Sequence, residues 1–371
     1  PRVLLIFLMA SLFPLADLAV VSYQKALMMV TNDPKTVLDS LLWLIVFILA
    51  IEFSLVMIMS VFISRSIVAP ILDLKSAMLK VEKGDFSARA RMLDNNELGA
   101  LAQHFNRMTV GLKERYDLVK SISIAREVQQ NLLPGEYFSA EGLDIAGRSI
   151  YCEQTGGDYY DFIDDCPQGN KRSVIVIGDV SGHGIHSALL MASARAFLRQ
   201  RLALPGEFDQ VIGDVNVQFC RDVGSSGRFM TLLAFAYTPE NRRISWVRAG
   251  HDPAFVYLPK EDRFSELKSG GGIPLGVDEA YPYHENFLDG DKFEDGFLLF
   301  IGTDGIWEAS NDKEERFGKD RLKSIIRRHY TESSTRIIDR ILESLENFHG
   351  SAGFSDDVTM IIVKKHPRQA A

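Results

Sequence analysis

Four short acidic turns stand out in the last two-thirds of this 371-residue chain. They read Gly156-Gly157-Asp158-Tyr159-Tyr160-Asp161, Gly178-Asp179-Val180-Ser181-Gly182-His183-Gly184, Thr303-Asp304-Gly305 and Ser355-Asp356-Asp357-Val358-Thr359. The second and third directly follow apolar runs, and the fourth directly precedes one. Carboxylates at strand ends beside glycines have little bulk around them and can converge on one spot. Held together they repel one another unless cations sit between them, and hard oxygen ligands select Mg²⁺ or Mn²⁺ over zinc. Two such ions share a bridging water, lower its pKa and clamp a phosphoryl group for in-line attack. One Asp-Gly is an ordinary turn, but four acidic turns in one domain are hard to explain that way. Gly182 and Gly184 permit a tight turn and close substrate approach. His183, within the second turn, is a candidate general acid, and His251 reads as a structural residue.

The elements that must position these residues are short. Apolar runs punctuated by glycine and aspartate predict strands at Ser173–Ile177, Thr231–Tyr237, Arg243–Arg248, Phe255–Leu258, Phe297–Ile301 and Val358–Val363. Longer periodic patterns predict helices at Ser187–Leu202, Phe208–Asp222, Lys319–Arg328 and Ser334–Phe348. Strands without regular βαβ alternation imply an α+β sandwich rather than a doubly wound sheet.

Upstream the chain changes character. Leu41 to Ile63 is an uninterrupted apolar run followed at once by Ser64 and Arg65, long enough to cross a hydrocarbon core of about 30 Å. Val3 to Val21 is a second candidate span, interrupted by Pro14 and Asp17. Arg2 and Arg65 flank the outer ends of this pair, which by the positive-inside tendency places both chain ends in the cytoplasm. Glu52 lies near mid-bilayer and is expected to face protein. The chain opens on Pro1 rather than Met, which reads as part of a longer protein. Beyond the membrane, apolar residues recur at Ile67, Ile71, Leu74, Met78 and Val81, and again at Leu98, Leu101, Phe105, Met108 and Leu112. These are coiled-coil seams. Two such helices cannot bury their stripes alone, so a parallel dimer is expected. A helical pattern continues from Arg115 to Leu133 and stops at Pro134-Gly135.

The formal charge of −8 and the lack of a basic stretch exclude nucleic acid as a partner. Cys152, Cys166 and Cys220 show no Cys-x-x-Cys spacing, which argues for a reducing compartment and against zinc.

Two resemblances follow from these residues. Ser64–Lys113 resembles a HAMP domain, the relay module of many bacterial receptors. The resemblance rests on Pro70, Gly84-Asp85-Phe86, Asn96-Glu97-Leu98-Gly99 and Phe105-Asn106-Arg107-Met108. Gly142–Lys365 resembles the metal-dependent (PPM, type 2C) protein phosphatases, in their SpoIIE-like bacterial branch. Here the signatures are GGDYYD, GDVSGHG, AGHDPAFVY (Ala249–Tyr257), GTDGIWE (Gly302–Glu308) and SDDVT.

The second resemblance implies a four-layer sandwich of two antiparallel sheets flanked by helices. It implies two Mn²⁺ or Mg²⁺ ions, with Asp158, Asp179, Asp304 and Asp356 as ligands, Asp179 bridging and the Val180 carbonyl contributing. Asp357 is the alternative to Asp356, and Asp161, Gly182 and His183 are secondary candidates. It also implies a phosphoserine or phosphothreonine substrate on a STAS-domain regulator. Ala125–Pro134 resembles the regulatory helix that precedes the catalytic core in related phosphatases. The expected layout is a span at 1–23, an extracytoplasmic loop at 24–40, a transmembrane helix at 41–63, HAMP at 64–113, a signalling helix at 114–134 and the phosphatase domain at 142–365. The competing function is a catalytically inactive receptor that keeps the fold only to bind a partner. A sensor kinase is disfavoured, because neither a phospho-accepting histidine helix nor a glycine-rich nucleotide box follows the relay.

Overall fold

The computed structural model describes residues 16–27, 33–91, 96–140, 142–152, 155–164, 172–239, 243–288, 296–350 and 353–365. It divides into two compact units, Pro1–Leu118 and Val119–Ala371.

In the first unit residues 16–27 are helical. Helix α1 (Pro34–Ile63) opens with proline at the start of its first turn, where a missing N–H costs nothing. It continues without interruption through one π-helical turn, Ser64–Val68, into α2 (Ala69–Glu82). The boundary expected at Ser64 is therefore not a break: the Ser64 N–H still reaches the carbonyls of Ser60 and Val61. Pro70, which has no N–H to give, stands just after the π turn. Among the described residues one helix, Lys35–Glu82, is long and apolar enough to cross a membrane. The candidate span at 1–23 falls largely on residues outside the described ones.

The chain leaves α2 through Gly84, at φ +89°. The connector is held by Asn106, whose side chain bonds both the N–H and the carbonyl of Ala90 at 2.9 Å. Asn96 caps α3 (Glu97–Leu132) by accepting the Gly99 N–H. Ala77, Ala90, Ala102 and Phe105 form a small core with Leu74 and Val81 against it. The rest of the seam, including Ile71, Met78, Leu101 and Met108, stays exposed in the single chain. The second seam and the signalling helix, read separately from the sequence, are one uninterrupted helix.

The second unit is a four-layer sandwich. One sheet runs β1 (Tyr137–Ala140), β2 (Leu143–Ile150), β12 (Val358–Lys365), β11 (Phe297–Gly302), β7 (Phe255–Leu258), β8 (Arg263–Glu266) in space. The other runs β10 (Asn286–Leu288), β6 (Arg243–Ala249), β5 (Met230–Thr238), β4 (Ser173–Val180), β3 (Asp158–Asp164), with the two-residue β9 (Gly271–Gly272) parallel to β6. All other pairings are antiparallel.

Strand side chains alternate between faces, and here both faces are buried. Ile145, Tyr160, Phe162, Ile175, Ile177, Leu233, Ile301 and Ile361 fill the space between the sheets. The alternate residues Tyr159, Val174, Val176 and Ala234 pack under α4 (Ile185–Leu202) and α5 (Phe208–Val223). On the far side Phe300, Met360 and Ile362 pack under α6 (Lys319–His329) and α7 (Ser334–His349). The predicted strands and helices are all present. The GGDYYD segment, read as a turn, is a turn only at its glycines: Asp158 already begins β3. β1 and β2 carry no strand prediction. In β2 a glycine stands where strand formers are favoured, because a Cβ on Gly147 would meet the Tyr160 ring at 2.8 Å.

Candidate functional site

The strand parity that sorts the cores also sorts the aspartates. On β3, Asp158 shares its face with Tyr160 and Phe162 and so points between the sheets. On β4, Asp179 shares its face with Ile175 and Ile177. The two strands pair with Asp158 directly opposite Asp179. In the other sheet, β11 pairs with β12 so that Gly302 opposes Met360, and the Thr303 N–H extends the ladder to the Thr359 carbonyl at 3.0 Å. That register lays the Asp304 turn against Asp356 and Asp357. A Cβ on Gly305 would run into the Asp357 backbone carbonyl, so only glycine lets the two loops close up.

Two ties join the sheets at this end. The Thr303 hydroxyl donates to the Asp158 carboxylate at 2.9 Å and accepts the Thr359 N–H at 3.1 Å. The Asp357 carboxylate accepts the Cys152 N–H at 2.9 Å and the Gly157 N–H at 3.0 Å, one on each oxygen. Asp357 is thereby committed to fixing the glycine turn before Asp158, whereas Asp356, exposed, lines the open cleft. That cleft is lined by Cys152, Asp179, Gly182, His183, Phe354, Ser355 and Asp356. The Val180 carbonyl faces Gly157, 2.6 Å from where a Cβ would stand.

The carboxylates feel one another. Asp158 is wholly buried, and that burial, followed by the charges of Asp179 and Asp357, raises its pKa well above the usual carboxylate range. Burial pushes Asp179 up to about 8, with Asp304, Asp356 and Asp357 adding repulsion. Asp304 is raised by burial and then by Asp356, Glu308 and Asp252. Buried acids crowded without cations are driven toward the neutral form. Among the described residues no three ligating side chains yet close around one point as a cage. The donor set, all oxygen, and its unrelieved repulsion nevertheless fit hard divalent cations.

Asp161 is not brought to this cluster. It lies on the helix-facing side of β3, fully buried, and accepts Arg199 Nε and Nη2 at 2.6 Å each and the Tyr159 hydroxyl at 2.9 Å. It anchors α4 to the sheet. Strand alternation is the physical reason: it lies three positions along from Asp158, and an odd step reverses the face. His251 is buried beneath the site, with Nδ1 2.8 Å from the Thr231 hydroxyl. Its burial lowers its pKa to about 4.

Sequence reasoning named neither Thr303 nor Gln129 as site residues. Thr303 sits inside a quoted motif. Gln129, near the end of α3, is buried and bonds Gly156 through both ends of its amide: Nε2 donates to the carbonyl at 2.7 Å, and Oε1 accepts the N–H at 3.4 Å. Gln129 lies inside Ala125–Pro134, the segment read as a regulatory helix, and that resemblance was the available signal.

Comparison with known proteins agrees with this geometry. Residues 169–366 match the family model of stage II sporulation protein E (SpoIIE), and residues 62–114 match the HAMP domain. The phosphoserine phosphatase RsbU of Bacillus subtilis is 29% identical over 67% of this chain and 71% of its own length. Protein IcfG of Synechocystis is 30% identical over 80% of this chain. This chain spans only about half, 51%, of IcfG and 57% of the phosphoserine phosphatase RsbP of B. subtilis. Among solved structures, the SiaA-PP2C domain of Pseudomonas aeruginosa superposes with TM-score 0.55 at 19% identity, over 67% of this chain and 97% of that one. The PP2C phosphatase domain of SpoIIE from B. subtilis gives 0.51 at 16%, over 63% and 65%. With its paired strands, its cleft of aspartates and a family match over more than half of its residues, the chain belongs to the SpoIIE family of metal-dependent, PP2C-type serine phosphatases, and carries a HAMP domain ahead of that fold.

Proposed function

We propose that this chain is a membrane-anchored protein serine/threonine phosphatase that hydrolyses phosphoserine or phosphothreonine on a STAS-domain regulator. The observation that carries the reading is the meeting of Asp158, Asp179, Asp304 and Asp356 from four separated motifs at one end of the sandwich. These four would hold two Mg²⁺ or Mn²⁺ ions, with Asp179 central and Asp357 outside the ligand set. Bound there, the ions would acidify a water and neutralise phosphoryl charge. The chain's own contribution is placement. Thr303 fixes the Asp158 carboxylate, Asp357 fixes the turn that carries it, and the register of β3 with β4 fixes Asp179. His183 lines the cleft and would give a proton to the leaving serine oxygen. The substrate class rests on the printed names of RsbU and RsbP as phosphoserine phosphatases and on the family resemblance.

Control from the membrane side fits the same reading. The exposed half of the HAMP seam favours a parallel homodimer, and an inner-membrane anchor with both ends cytoplasmic fits the flanking arginines. Gln129 ties the end of α3 to Gly156, two residues before Asp158. A shift of that helix would displace a metal ligand, making α3 a two-state element biased from upstream.

Purified protein incubated with phosphorylated STAS proteins and Mn²⁺ should release phosphate, and chelator or Asp179→Ala should abolish release. A chain that binds such a protein yet releases nothing with either metal is instead the inactive receptor.

A further inference from the structure

We propose that Arg228, together with the first turn of α4 and the Ser187 hydroxyl, forms the pocket that holds the phosphoryl oxygens of the substrate. The inference rests on the phosphatase reading above and adds to it the group that receives the phosphate.

A cleft walled by carboxylates repels a phosphate dianion. Whatever cations the acids hold, the wall opposite them needs positive charge and N–H donors of its own. Gly182 lines the cleft beside Asp179. It sits at φ +86°, and the point where a Cβ would stand is 2.5 Å from Arg228 Nη1 and 3.8 Å from Ser187 Oγ. A glycine is thus kept where a guanidinium and a hydroxyl lie directly behind the cleft wall.

Three further features bear on the same spot. Arg228 is half-buried and spends one donor on the Ser181 carbonyl, at 2.8 Å. Among the described residues it has no carboxylate within ion-pair distance, although the most acidic region of the unit is next to it. A guanidinium carries five donors suited to paired oxygens, so most of its capacity is unspent. Ser187 is fully buried and its Oγ has no hydrogen-bond partner among the described residues. A buried hydroxyl left so is costly unless a ligand completes it. Finally, α4 is 18 residues long and has Gly184 as its N-cap, with no side chain capping its first turn. Its free N–H groups and dipole favour an anion there.

The arginine is not adrift on its loop. The Ser181 N–H donates to the Phe229 carbonyl at 2.9 Å, and the Phe229 N–H donates to Ser181 Oγ at 3.0 Å. These bonds clamp the segment before β5 to the turn after β4, so the guanidinium is placed before the substrate arrives. Preorganised donors of this kind are most effective where water is displaced.

The test measures inorganic phosphate binding by calorimetry in Mg²⁺, and kcat and KM on a phosphoserine peptide, with the full chain in detergent. The proposal expects Arg228→Gln to weaken phosphate at least tenfold and raise KM by a similar factor, while the Mg²⁺ concentration for half-activation stays put. Arg228→Lys should fall between, and Ser187→Ala should weaken phosphate several-fold. If Arg228→Gln keeps wild-type phosphate affinity and KM but loses kcat or melts early, the arginine is only a strut for the Ser181 carbonyl and the proposal fails. Should Arg228→Gln not fold, unchanged phosphate affinity in both Arg228→Lys and Ser187→Ala overturns it equally. Phosphate held through Arg228 without hydrolysis by the wild type would keep the anchor and remove the phosphatase. Hydrolysis indifferent to Arg228 would do the reverse.

Discussion

Neutralising the central aspartate should make the metal-free protein more stable while destroying its activity. Without cations, burial and then the charges of Asp304, Asp356 and Asp357 push Asp179 up to about 8, against an ordinary 3.8. At pH 7 folding therefore forces a proton onto a group that the unfolded chain would leave ionised. The penalty runs over about three pH units at 1.36 kcal/mol each, a ceiling of about 4 kcal/mol. Because Asp158, Asp304 and Asp357 share the repulsion, the cost belongs to the cluster, and removing one charge relieves the others. Asp179→Asn, made in the Val119–Ala371 unit that holds its own three cores, should thus gain between about 1 and 4 kcal/mol in urea unfolding at pH 7 with chelator present. The sign follows from the raised pKa. The wild type has its full stability below about pH 4 and loses it as pH climbs toward 8, whereas the variant should be flatter over that window. Saturating Mg²⁺ should reverse the order, stabilising the wild type by mass action and leaving the variant unmoved. A variant that is equally or less stable than wild type in chelator at pH 7 would refute the picture of unrelieved repulsion.

Three further outcomes follow from the same geometry. Asp161→Asn should cost about 3 kcal/mol, because it strands Arg199 against a buried amide, yet leave Mg²⁺ activation unchanged in the surviving fold; altered metal affinity would return Asp161 to the ligand set. Gly156→Ala should destabilise by about 1–3 kcal/mol and abolish activity, since its methyl would run into the Asp357 carboxylate and the Tyr151 ring; thermal melts and phosphate release check both halves. Gln129→Ala leaves the buried Gly156 carbonyl unpaired, a loss of about 1–3 kcal/mol, and should raise the Mg²⁺ concentration needed for half-maximal phosphate release. Unchanged metal dependence in that variant would disconnect α3 from the site.

The sequence alone determined the inventory of this protein. A long apolar run, two heptad seams and four glycine-flanked acidic motifs are local signals, and each survives in the structure because it depends on neighbours in the chain. The predicted strands Phe255–Leu258 and Phe297–Ile301 lie where apolar residues are bounded by turn formers, so their existence needed no tertiary context. Tertiary structure decided which aspartate faces which way. A strand with one wet face announces its parity by alternation, but β3 and β12 are buried on both faces: Tyr159 and Tyr160 are equally covered, as are Ile361 and Ile362. A continuous apolar run carries no parity, so nothing in the letters separates Asp158 from Asp161 or Asp356 from Asp357. Only the pairing of β3 with β4, and of β11 with β12, turns Asp158 between the sheets and Asp356 to the cleft, and gives Asp161 to the partly exposed Arg199 and Asp357 to a glycine turn. Gln129 and Arg228 were hidden for a related reason, since each is tied to a segment far from it in sequence, by contacts that exist only in the folded unit.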